Sequence, residues 1–181
     1  MSWPRIRLRL RDHGQALPEF ALVAPLLFIL LFGVIQFGFL FGGHVGLTNA
    51  ARDAARYASV LQVGDSGTAN TNAAATMTEL TKPGGFLSRA IPGYQSTNLV
   101  TSGSGSTAVC YATFQNPDLT WSVQVRVQIA YQHPLFIPLV GAFVDGFDGS
   151  SDGTWRTTAS EEMRVENPVL DFAPSGLPTC P

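Results

Sequence analysis

The sequence predicts an α+β fold in which one long N-terminal helix packs on a small antiparallel β-sheet. Three observations predict it. From Phe20 to Gly43 there is no charged residue, and Gln36 is the only strongly polar side chain. From Leu47 to Leu61 apolar residues return at every third and fourth position, the period of a helix face. From Trp121 to Gln132 core-type and polar residues alternate, the period of a half-buried strand.

The apolar run comes first. A hydrocarbon core needs roughly 20 apolar residues in a helix, and this run meets that length. It exceeds the 7–15-residue apolar region of a secretory signal. It also lacks the polar stripe of a soluble core helix. A membrane span at about 20–43 follows, with an amphipathic continuation over 44–62. There Leu47, Ala50, Ala51, Ala54, Ala55, Ala58 and Leu61 make one face. Arg52 and Arg56 lie opposite, with Asp53 in reach of Arg56 for a weak ion pair. The whole helix, 15–62, would measure about 70 Å. Pro25 should kink it. Gly33, Gly38, Gly42 and Gly43 allow close helix contact, and Gly38-x-x-x-Gly42 has helix-packing spacing. His44 is placed in solvent where the helix leaves the lipid.

Residues 63–166 form the domain. Gly64-Asp65-Ser66-Gly67 ends the long helix, and a short helix over Asn72–Leu80 stops at Pro83-Gly84-Gly85. Residues 84–106, rich in Gly, Ser and Pro, read as a flexible surface loop. A strand over Ala108–Phe114 turns at Asn116-Pro117-Asp118 into the long strand. The prolines of His133–Leu139 keep that segment out of a sheet centre. A third strand, Thr154–Val165, sets Trp155, Ala159, Met163 and Val165 on one face and pairs antiparallel with the second. Residues 167–181 are a Pro-rich tail.

Charge and composition narrow the function. The net charge is −2, and Arg5, Arg7, Arg9 and Arg11 concentrate the basic charge before the apolar run. That placement keeps the N-terminus on the cytoplasmic side and puts the domain outside. A mildly acidic body argues against nucleic acid as a partner. His13, His44 and His133 cannot be placed together with a Cys or Asp by sequence, and no phosphate-binding glycine loop is present. Asp145, Asp148 and Asp152 are spaced three then four, unlike an EF-hand, so the loop to Gly153 reads as a turn. No catalytic residue, cofactor or metal site is expected. Cys110 and Cys180 permit one disulfide, closing a loop of about 70 residues for about 3–4 kcal/mol. Two unrelated thiols are the alternative, and the spacing excludes a zinc knuckle.

One residue is out of character. Glu19 opens the apolar run, where a carboxylate is costly unless paired or held at the interface in the first helical turn. Gly14-Gln15-Ala16-Leu17-Pro18-Glu19-Phe20, preceded by arginines and followed by an apolar helix, resembles a type IV pilin-like leader. The stretch Gly14–Leu27, together with Leu47–Ala58, is similar to the TadE-like pseudopilins, minor pilins of the tight-adherence (Tad or Flp) pilus. The C-terminal half shares a looser likeness. Pro18 departs from the aliphatic residue usual there, in a first turn that tolerates proline.

The resemblance implies a pilin-like fold without enzymatic activity. It implies removal of a basic leader, residues 1–14, by a prepilin peptidase cutting between Gly14 and Gln15. Glu19, beside Phe20, would then meet the Gln15 amine of a neighbouring subunit and set assembly register. The implied partners are that peptidase, other pilins and pseudopilins, the Tad inner-membrane platform and membrane lipid. The implied location is the cytoplasmic (inner) membrane, crossed once, with incorporation into an extracellular pilus. Two other readings compete. A secretory signal cut after Ala50 would release a β-rich binding domain, and an uncut chain would be a permanent single-pass anchor or sensor.

Overall fold

A computed structural model of the chain describes residues 16–118, 121–148 and 152–166. The predicted long helix is α1, Ala16–Ser59, unbroken through Pro25. At 44 residues it is about 65 Å long. Its two halves have opposite surroundings. Large apolar side chains from Leu17 to Val45 are mostly exposed, whereas Leu47, Ala50, Ala51, Ala54, Ala55 and Ala58 are fully buried. The 3.6-residue period predicted that buried face.

The sheet is three-stranded and antiparallel, in the order β1 (Ala108–Gln115), β2 (Trp121–Pro134), β3 (Thr154–Arg164). The fold is α+β and pilin-like, as the sequence predicts. Val123, Val125, Val127, Ile129 and Tyr131 of β2 are buried against the alanine face of α1, with Ala159 and Val165 beside them. Small residues on the helix let the sheet come close. Each methyl withdrawn from water there contributes about 0.8 kcal/mol.

The far end of α1 is tied by hydrogen bonds that answer its orphan carbonyls. Buried Tyr111 on β1 donates its hydroxyl to Ala58 O at 2.9 Å, and Glu166 N donates to Ser59 O at 2.9 Å. Burial pushes the Tyr111 hydroxyl from 10.0 up to about 12. Arg52 reaches across to β3, donating from Nε to Glu161 Oε1 at 2.8 Å. Asp53 and Arg56 do not pair among the described residues, contrary to expectation, and Arg52 supplies the cross-element bridge instead.

Several local expectations are corrected. The second helix, α2, spans Ser66–Thr81, six residues longer at its start than predicted. Asp65 explains the difference. Its carboxylate accepts from Thr68 N at 2.7 Å, while Thr68 Oγ1 accepts from Asp65 N at 2.9 Å. That reciprocal cap starts a helix where the glycines suggested only a turn. The same Thr68 N–H holds the Asp65 carboxyl below the usual carboxylate range.

Nor is 84–106 a flexible loop. It contains a short helix, α3 (Phe86–Ala90), and a 3-10 turn at Ser96–Asn98. Past Gln128, β2 has no β1 partner. Val100 N fills the place by donating to Ala130 O at 2.9 Å, and Thr107 Oγ1 accepts from Ala130 N at 3.0 Å. Arg156 Nη2 holds the Gly-Ser stretch by donating to Ser104 O and Gly105 O at 2.7 and 3.0 Å. Polar partners from another strand outweigh the entropy that composition alone suggests.

The prolines after Tyr131 do not end β2 where expected. It continues to Pro134, opposite Thr154 of β3, at a strand end where a missing N–H is tolerated. A fourth helix, α4 (Pro138–Asp148), was not foreseen. Pro138 occupies its first position, where proline's fixed φ suits a helix start.

Three substitutions test this packing. A Cβ at Gly46 would lie 2.3 Å from the Ala90 carbonyl oxygen, whereas one at Gly42 meets nothing within 4 Å. Gly46→Ala should therefore cost about 1–3 kcal/mol by overpacking. Gly42→Ala should gain up to about 1 kcal/mol of helix propensity. Thermal unfolding of the detergent-solubilised chain, followed by near-UV circular dichroism, separates them. Tyr111→Phe should cost about 1 kcal/mol at neutral pH. The folded protein keeps the hydroxyl protonated to about 12, so that part of stability is intact below pH 10 and lost as pH rises towards 12. The same unfolding series at alkaline pH should show that loss in the wild type and not in Tyr111→Phe.

Candidate functional site

The surface that sets this chain apart is the first half of α1. Glu19 lies exposed in its first turn, where a carboxylate complements the helix dipole. Phe20 beside it is also exposed, and the apolar side chains that follow are largely open around the helix. Phe28 stacks on Phe32, with ring centroids 5.9 Å apart. Gly33, Gly38 and Gly42 have open space where a Cβ would stand. Gly43 does not: the His133 imidazole occupies that place. So a side chain could be added at the three outer glycines without a clash, whereas the fourth serves the domain.

Where α1 meets the domain's lower edge, the structure brings together residues that sequence reasoning kept apart. Gln36 is fully buried. Its Oε1 accepts from Ile137 N at 3.2 Å, one of the orphan N–H groups ahead of α4. Phe39 meets Phe136 edge to face at 4.9 Å between centroids. On one side a cavity of about 310 Å³ is lined by Gln36, Gly42, Gly46, Ile91, Tyr131 and His133. Gln36 Nε2 and His133 Nε2 are both buried without a hydrogen-bond partner among the described residues. On the other side an apolar cleft of about 520 Å³ runs between α1 and α4, lined by Ile29, Gly33, Phe37, Val140, Val144 and Phe147.

Burial lowers the His133 pKa, and the charge of His44 lowers it further. His44 itself is exposed, as expected. β2 runs on past Tyr131 and carries His133 onto α1, within electrostatic reach of His44. Two signals could have located this corner. Gln36 was visibly the one polar side chain in the run. Val140, Val144 and Phe147 also follow a helical period that the neighbouring prolines and aspartates obscured.

Gly14 and Gln15, where the cut is expected, and Cys180 lie outside the described residues. Cys110 sits partly buried on β1. In the acidic stretch, Asp145 falls inside α4 rather than in a loop, and its Oδ2 accepts from Gly153 N at 3.3 Å. Asp152 Oδ1 accepts from Thr154 N at 2.9 Å and opens β3. Among the described residues no group of three or more His, Cys, Asp or Glu converges on one point.

One helix of the described chain, α1, is long and apolar enough to cross a membrane. A family model described as "TadE-like protein" matches residues 14–56. No curated protein and no solved structure matches the chain. The match begins at the glycine before Glu19, spans the open apolar half of α1 and ends within its buried alanine face. Over that segment, the chain is similar to the TadE-like protein family.

Proposed function

We propose that the chain is a minor pilin or pseudopilin of a tight-adherence (Tad or Flp) pilus. In this reading it is held in the cytoplasmic (inner) membrane by α1, its N-terminus is cytoplasmic, and its domain lies outside. A prepilin peptidase cuts after Gly14, and the trimmed helix joins a bundle of like helices on the Tad inner-membrane platform. The observation that carries the reading is the two-faced character of α1 within the family-matched segment. One half is an open apolar cylinder with a single carboxylate at its head, and the other is locked into the sheet.

Glu19 supplies the register. Moved from lipid into a helix bundle, its carboxylate needs a cation. Cutting after Gly14 creates one, the new amine of Gln15, four residues from Glu19. A neighbouring subunit's amine can meet it only at one axial offset. The C-terminal half contributes a disulfide, Cys110–Cys180, which would hold the tail to β1.

The burial of α1 weighs against release by a secretory cut after Ala50. That cut would strip Leu47 and Ala50 from the core, both fully buried. It would also uncover His133 and Ala90, which pack on Gly43 and Gly46. A permanently uncut anchor differs from the proposed pilin only at its N-terminus and in its final location.

N-terminal sequencing of the protein from cells should read Gln15 first, and Met1 or Ala51 would refute the processing. Gly14→Arg should leave an uncut, slower band on a gel. Glu19→Ala should be cut normally yet be lost from sheared pili, and normal incorporation of that variant would overturn the register role.

A further inference from the structure

The charge-free run ends at Gly43, and by composition alone the membrane would end there too. The domain does not stop at that level. Its lower edge follows α1 down to Ile29, 14 residues and about 21 Å nearer the N-terminus. With a boundary at Gly43, all of this edge would lie in hydrocarbon. Gln36 Nε2, without a partner among the described residues, would lie there too, and His133 Nε2, likewise without one, would stand at the boundary beside Gly43. Each such group costs several kcal/mol where water cannot reach it.

From its geometry, we infer that the outer hydrocarbon boundary lies at Gln36 and that α4, with the turn before it, rests in the lipid interface. Leu17 to Ile35 is 19 residues, about 28 Å of helix against a core of about 30 Å. Gln36 then sits where water and headgroup oxygens can reach the cavity that it shares with His133. Ile29, at the bottom of the α1–α4 cleft, falls about 10 Å below Gln36. That is the depth to which an in-plane amphipathic helix buries its apolar face.

The surface of α4 suits that place. Its inward face, Val140 and Val144, closes on α1, and Asp145 is turned to Gly153 N. Among the residues of α4 whose exposure is described, the outward ones, Pro138, Ala142, Gly146 and Phe147, carry no charge. Phe147 is 72% exposed and Phe136 51%. Both are continuous with the open apolar surface of α1, the surface offered to lipid. The occupant is therefore acyl chain and glycerol backbone, and with no cation on the outward residues the contact is apolar rather than electrostatic.

The inference rests on α1 spanning a bilayer, which flotation of the full chain with phosphatidylethanolamine/phosphatidylglycerol vesicles checks separately. In those vesicles, Phe147→Trp and Val60→Trp are compared with wild type using lipids brominated near the top of the acyl chains. Val60 is exposed beyond the end of α1 and serves as the aqueous reference. The emission added by Phe147→Trp should be lost to brominated lipid and insensitive to aqueous iodide, with the reverse for Val60→Trp. Phe136→Trp repeats the measurement if Phe147→Trp does not fold. A chain that floats while its added tryptophan is quenched by iodide overturns the inference, with α4 standing in water. Quenching by neither agent also overturns it, because the face is then covered by a second copy or another protein.

Discussion

Everything in this molecule depends on how closely α1 can approach β2. Five alanines and one leucine of α1 are withdrawn from solvent against a row of valines, an isoleucine and a tyrosine. Bulky residues on both surfaces would hold the two apart and leave gaps that cost stability. Alanine on the helix and β-branched residues on the strand solve the problem from opposite sides. The strand keeps its propensity and the helix keeps its own. Gly43 and Gly46 extend the same solution downward, where His133 and the Ala90 carbonyl come in closer than any side chain would permit.

That close contact divides the helix into two chemical environments. Above Gly43, α1 is a core element of an ordinary small domain. Below it, α1 presents exposed Leu, Phe, Ile and Val side chains, a contiguous apolar surface larger than soluble monomers ordinarily expose. Among the described residues the domain touches this lower half at Gln36, Phe39 and the α4 cleft. Gly33, Gly38 and Gly42 stay open. A helix bundle that took up the lower half would therefore have to accommodate α4 beside it.

Much of this was legible in the residues, for reasons that differ by element. The alanine face and the β2 alternation are periodic, and periodicity survives whatever the rest of the chain does. The reach of β2 to Pro134 and the existence of α4 were not legible. Proline was read there as a breaker, while the structure uses Pro134 at a strand end and Pro138 at a helix start. The structure of residues 84–106 is not legible because Gly and Ser report backbone freedom and not the hydrogen bonds that Arg156 and Ala130 offer from other strands. Gln36 was noticed as an exception, but its partner lies 101 residues away, a distance no local pattern spans. The Asp65 cap, by contrast, could have been found from the spacing of Asp65 and Thr68 alone.

The two ties at the end of α1, Tyr111 to Ala58 and Glu166 to Ser59, and the tie at Gln36 stand more than 20 residues apart on one helix. Between them lies the alanine contact. Traction on the N-terminal end of α1 runs parallel to that whole seam, so these contacts are strained in shear and together, not peeled one after another. A domain attached to a filament by this helix would resist being torn away far better than one hung from its end by a loop.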